Sequence, residues 1–271
     1  MMIKMKEKTI ISWMAIAVMI TLLATSCSKN DKDGAPALPP IESFQMDFSD
    51  FKEFPDTTLK SLSAYEHFTY SYVTVGVWNV ITTIALAVPV AVYLESFNHT
   101  PEFLGDDTWQ WTYSVDTYTA RLLATRTSNE KFTAEMFVSK TGAGAFEDFK
   151  WFEGNIRYDH THASWQLYES PDNNVQWLDI EWTKDWDAGT SQITYTNVKA
   201  GTKEFGGYIT YGITDDADYD AFYTLYSVEQ EVNIKFNTET QAGLKLRLIL
   251  RMVTGIAGMN SSRTQIAVSR T

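Results

Sequence analysis

The chain of 271 residues carries 34 acidic against 22 basic side chains, a formal charge of −12 at pH 7. That balance excludes nucleic acid as a partner, because phosphate binding needs a basic surface. A single cysteine excludes an internal disulfide, so the core alone must hold the fold, and the residues beyond the leader suffice for one large domain.

Residues 1–26 have the three parts of a secretory leader. Lys4, Lys6 and Lys8 form the charged start, interrupted by Glu7, and Ile10–Leu23 is an apolar run too short to read as a spanning helix. Leu22-Leu23-Ala24-Thr25-Ser26 then meets Cys27. This arrangement resembles the lipobox of bacterial lipoproteins. The resemblance implies that Cys27 is lipidated, that it begins the mature protein, and that the membrane is a partner through that lipid. It places the chain at the outer membrane, periplasmic or surface-exposed. Residues 27–40 are polar and then proline-rich, and read as a flexible tether that does not pack. Their acidic character resembles the export tags that carry some lipoproteins to the outer face of that membrane.

Residues 41–239 read as one β domain with an inserted helix. In Phe44–Phe51, Phe44, Met46 and Phe48 alternate with Gln45, Asp47 and Ser49, which predicts a strand with one apolar face. Phe68–Leu94 follows and contains no Asp, Glu, Lys or Arg. It is long enough to span a bilayer as a helix. Thr74, Asn79, Thr82, Thr83 and Pro89, and the lack of a basic flank, favour instead a helix buried in protein. Val73, Val77, Val80, Ile81, Ile84, Leu86 and Val88 would then face a sheet curling about them. Pro89 is expected to end or kink the helix.

From Trp109 the pattern is strand, turn, strand. The expected runs include Thr117–Arg126, Lys131–Lys140, Phe149–Asp159, Ala163–Glu169, Val175–Thr183, Ser191–Val198, Phe205–Ile213, Ala221–Tyr226 and Glu231–Phe236. Regular spacing with short turns predicts an antiparallel meander. The fold class is therefore mostly β, the meander closing into an up-and-down barrel or half-barrel around one long apolar helix at about 68–94. It resembles a lipocalin-like barrel in this respect.

Residues 240–271 depart from this composition. They hold no acidic and no aromatic residue, but include Lys245, Arg247, Arg251, Arg263 and Arg270. A basic C-terminal strand and tail is one reading, and the product of a frameshift is the favoured one. One choice of codons for RMVTGIAGMN, read two bases later, gives DGDWHCWDE, which has the acidic, tryptophan-rich character of the preceding body. No site is drawn from Leu244 onward.

Candidate sites are few. Trp109, Trp111, Trp165, Trp177 and Trp182 are candidate ligand-binding residues, as a sugar-stacking platform or the lining of an apolar cavity, set against a plain role as core. His160 and His162, at i and i+2, share a face if they lie on a strand, and with Asp159 would begin a zinc site. A turn is expected there, and no third ligand is evident. Asp216, Asp218 and Asp220 imitate the opening of a calcium loop, but Ala221 and Ser227 stand where it requires glycine and glutamate. Asp179 and Glu181 form a carboxylate pair of the sort an acidic chain produces by chance. No serine elbow or phosphate loop is present, and no cofactor is implied. The expectation is a non-enzymatic envelope lipoprotein that binds an apolar or amphipathic ligand or a partner protein. A surface glycan-binding lipoprotein and a structural or assembly lipoprotein are the alternatives.

Overall fold

Alternation of apolar and polar side chains makes each segment after residue 100 a strand with one face to bury. The computed structural model describes residues 34–49, 62–227, 231–238 and 245–249, with side chains from 34–49, 75–227 and 231–238. Residues 1–33, with Cys27 among them, and residues 250–271 lie outside the described residues. A helix, α1 (Leu62–Ser96), precedes twelve strands. These are β1 (Glu102–Gly105), β2 (Thr108–Val115), β3 (Tyr118–Arg126), β4 (Lys131–Lys140), β5 (Phe146–Arg157) and β6 (His162–Ser170). They continue with β7 (Asn173–Asp185), β8 (Thr190–Asn197), β9 (Tyr208–Ile213), β10 (Ala221–Tyr226), β11 (Glu231–Phe236) and β12 (Lys245–Ile249).

Every strand pairs antiparallel with its sequence neighbours, in the order β1 to β12. The expected meander is present. Among the described residues no ladder joins β1 to β12. Both ends of the sheet nonetheless reach the same helix, since α1 touches β2 and β12. Register breaks in the β4–β5 and β6–β7 ladders mark bulges, which bend strands and increase twist. One strand, β1, was not expected, and another, β12, belongs to the reading of the tail that was not favoured. β1 is short and pairs β2 through a turn in which Asp106 and Asp107 both take positive φ. β12 lies inside the segment read as an anomalous tail and pairs with β11 from Lys235↔Lys245 to Glu231↔Ile249.

One face of the sheet is apolar and its concavity is filled by the chain itself. Phe44, Met46 and Phe48 are buried there while Gln45, Asp47 and Ser49 are exposed, so the predicted alternation holds. The predicted strand does not. Residues 45–48 follow a 3-10 turn at Ile41–Ser43 as a segment that joins no ladder. Their backbone is instead met by aromatic side chains of the sheet. Trp165 Nε1 donates to the Ser43 carbonyl at 2.9 Å. Tyr195 OH donates to the Phe44 carbonyl at 3.0 Å and accepts the Met46 N–H at 2.6 Å. Tyr223 OH donates to the Asp47 carbonyl. A strand needs a neighbouring strand edge, and here three inward-facing aromatic side chains replace one. Phe44 sits among Phe152, Trp165 and Tyr93, with ring centroids 4.8, 5.4 and 5.6 Å away. Burying a side chain of this kind contributes about 1.5–3 kcal/mol.

The tether reading fails over its last six residues. Packing begins at Ala35, Pro36 and Pro39 are buried, and the Pro39 carbonyl accepts the Tyr93 hydroxyl at 2.7 Å. Proline suits such a segment because its φ is already fixed and it brings no N–H to satisfy.

The helix is not enclosed. Val75, Thr82, Leu86, Pro89, Val92, Tyr93 and Ser96 form its buried stripe. Val77, Val80, Ile81 and Ile84, expected to face the sheet, are exposed, Ile84 at 74%. Pro89 neither ends nor breaks the helix, which runs on to Ser96. Tyr113 OH of β2 donates to the Val92 carbonyl, holding the last turns against the sheet.

Candidate functional site

Trp109, Trp111, Trp165 and Trp182 face inward because strand alternation puts them on the sheet's apolar side. Trp109, Trp111, Trp165 and Trp182 are all at most 4% exposed, so none offers a ring face for a sugar to stack on. Trp177 is partly buried and packed on the core. Trp109 is covered by Phe103, with centroids 5.1 Å apart, and Arg126 lies over its ring at 5.5 Å. Trp186, outside that group of five, is exposed, and its Nε1 donates to the carbonyls of Asp159 and His160.

The histidines do not converge. His160 lies in the β5–β6 turn with φ of 51°, and its Nε2 is 2.9 Å from the Ala37 carbonyl oxygen. His162 opens β6 and lies 3.5 Å from Glu181. Asp159 is engaged by Arg157 and Thr161, and hydrogen bonds from Arg157 hold its carboxyl well below the usual range. Among the described residues no group of three or more His, Cys, Asp or Glu is placed to hold a metal ion. The calcium-like loop is a turn: Asp216 Oδ1 accepts the N–H groups of Asp218 and Tyr219, and Asp220 accepts both the N–H and the hydroxyl of Thr238.

Two concavities stand out among the described residues. The first lies on the outer, polar face of β4–β7, where a trough of about 530 Å3 is walled by Glu135, Glu153, Asp179 and Glu181. Register makes this a pair of rows, Glu135–Glu153–Gln166–Asp179 and Thr133–Asn155–Ser164–Glu181. The sequence pair Asp179 and Glu181 is thus brought onto one face of β7. Partial burial raises both carboxyls, and for Glu181 the neighbouring Asp179 adds to the rise. Burial acts the same way on Glu153, but hydrogen bonds from Lys150 at 2.7 Å and Tyr168 at 2.7 Å outweigh it and lower that carboxyl. Asp179 accepts from Gln176 at 2.5 Å, and Lys150 also reaches Glu135 at 3.3 Å. The trough is a network of satisfied acids on a solvated face.

The second concavity is of another kind. Between α1 and residues 41–49 lies a cleft of about 590 Å3. Its apolar walls come from Met46, Phe48, Leu86, Ala87 and Val90, with Tyr195 beneath, and its polar rim from Glu42, Gln45, Asp47, Asn79 and Thr83. Apolar walls combined with polar groups that fix orientation are the usual form of a small-molecule site. The sequence announced each wall separately, the period-two run and the apolar helix. It gave no sign that they face each other, since the pairing spans some forty residues and rests on Tyr195 and Tyr223 much further on.

No protein-family model, curated protein or solved structure matches the chain.

Proposed function

We propose that this chain is a non-enzymatic lipoprotein of the outer membrane that holds an apolar or amphipathic ligand against helix α1, outside the sheet rather than within it. The observation that carries this reading is the cleft between α1 and residues 41–49. Its apolar walls accept an alkyl or ring body, and Gln45, Asp47 and Asn79 at the rim accept a hydroxyl- or amine-bearing end. The lipobox-like run ending at Cys27 supplies the anchor, periplasmic or at the surface. In this reading the meander is an up-and-down half-barrel, with α1 standing at its seam between β2 and β12.

The test is a denaturing extract of protein purified from its own envelope, analysed by mass spectrometry beside an Ala87→Trp variant whose indole fills the cleft. A small molecule enriched with the wild type and depleted with the variant supports the ligand site. No enriched molecule in either sinks it. The second reading, a structural or assembly lipoprotein, would then stand, and it is favoured by one observation: the concavity of the sheet is already occupied by residues 35–48 and the last turns of α1.

A further inference from the structure

Helix α1 presents a second apolar surface, opposite the stripe that packs on the sheet. Val77, Val80, Ile84 and Ala91 are exposed, and at 3.6 residues per turn they fall within about 60° of one another. Ile81 and Leu94 border them, also exposed. No charged side chain occurs from Val75 to Leu94, and this part of the helix is long and apolar enough to cross a membrane. Just beyond it the chain exposes Phe97, Phe103 and Leu104. Soluble monomers rarely leave an apolar face of this extent in water.

The position of Cys27 says what covers it. Pro39, whose carbonyl is bonded to Tyr93 at the end of α1, lies only twelve positions after Cys27. Fully extended, that length reaches about 40 Å at most. An acyl group on Cys27 therefore keeps the helix within a molecular diameter of the bilayer, where a second weak contact is strongly favoured. Stable anchoring takes two such signals rather than one. Among the described residues the sheet's outer face, carrying Thr, Glu, Arg, Gln and Asn, offers no comparable surface.

We infer that the exposed face of α1, centred on Ile84, rests on the lipid surface of the membrane that holds the anchor. This rests on the lipoprotein reading for the anchor alone. The helix carries no Lys or Arg between Leu62 and Ser96, so the contact is apolar and does not depend on lipid charge.

The full-length lipoprotein is reconstituted into phosphatidylcholine vesicles, with Ile84→Cys carrying an environment-sensitive fluorophore. Gln166→Cys on the outer face of β6 is the reference. Both positions are exposed, and a melt followed by circular dichroism checks that each variant folds. The expected result is severalfold stronger quenching of the Ile84 probe by lipid-borne nitroxide than of the Gln166 probe, with weaker quenching by aqueous iodide. Adding phosphatidylglycerol should not change that pattern. Equal quenching at the two positions overturns the inference. So does shielding from both quenchers together with cross-linked dimers, which would make a second copy the occupant. Intact mass reports separately whether Cys27 carries lipid. A chain without lipid that still shows nitroxide quenching refutes the anchor and leaves the helix contact standing.

Discussion

Replacing Tyr195 by Phe removes one oxygen and keeps the ring, so it isolates what the hydroxyl does. That oxygen accepts the Met46 N–H at 2.6 Å and donates to the Phe44 carbonyl at 3.0 Å. Tyr195 is fully buried, and burial raises its pKa, so the phenol stays protonated and available as a donor. Phe44 and Met46 are buried as well, which denies water to the groups left behind. An unsatisfied buried N–H costs about 1–3 kcal/mol, and the lost bond to the carbonyl adds about 0.5–1.5 kcal/mol. The sum is centred near 3 kcal/mol, which in a domain of this size lowers Tm by about 6–12 °C. Urea denaturation of Tyr195→Phe beside wild type, at equal slope, measures it. A loss under about 0.5 kcal/mol would mean that Tyr195 does not staple residues 41–49, and the reasoning about how that segment is held would fail.

Gly154 lies opposite Trp165 in the β5–β6 ladder, and a Cβ there would meet the indole at 2.3 Å and the Ser164 carbonyl oxygen at 2.7 Å. Gly154→Ala should therefore destabilise by about 1–3 kcal/mol through overpacking, and a Trp165→Leu background should relieve the indole's share while the Ser164 carbonyl contact remains. Equal losses in both backgrounds, read from thermal melts, would rule out the indole as the cause. Asp179 has a carboxyl raised by burial, so its ionisation works against the fold, and stability from this group falls as pH rises from the ordinary aspartate range through the raised value. Asp179→Asn should be more stable than wild type near pH 7, and the gain should fade on acidification to about pH 4. A gain that persists unchanged at acid pH would remove burial of charge as its source.

The strands were legible because a half-buried sheet writes a period of two into the chain. Lys131–Lys140 and Ala221–Tyr226 match their expected bounds, and Phe132, Ala134, Met136 and Val138 occupy the inner face as their spacing implies. β12 was hidden by its composition. Leu246 and Leu248 do alternate with Lys245 and Arg247, but the acid-free stretch around them outweighed that short signal. Alternation in Phe44–Phe48 gave the right buried residues and the wrong partner. Periodicity tells which side chains face the core, and says nothing of whether a ladder or a row of phenols meets the backbone. The tryptophans could not be sorted because a stacking platform and a packed core use the same residue. Only the filling of the concavity by residues 35–48 decides that Trp165 donates to Ser43 rather than to a ligand. For α1, an apolar surface on every side concealed which stripe packs, since no polar face pointed to the water.

Amide hydrogen exchange across residues 41–49 tests most directly whether the chain fills its own sheet. With the Met46 N–H buried on Tyr195 and its neighbours packed against Trp165 and Phe152, that amide should exchange as slowly as those in the centre of β5 and β6. Exchange at the rate of an unstructured peptide would contradict it: the concavity would be open, and Trp165, Tyr195 and Tyr223 would become the lining of a ligand cavity inside the sheet.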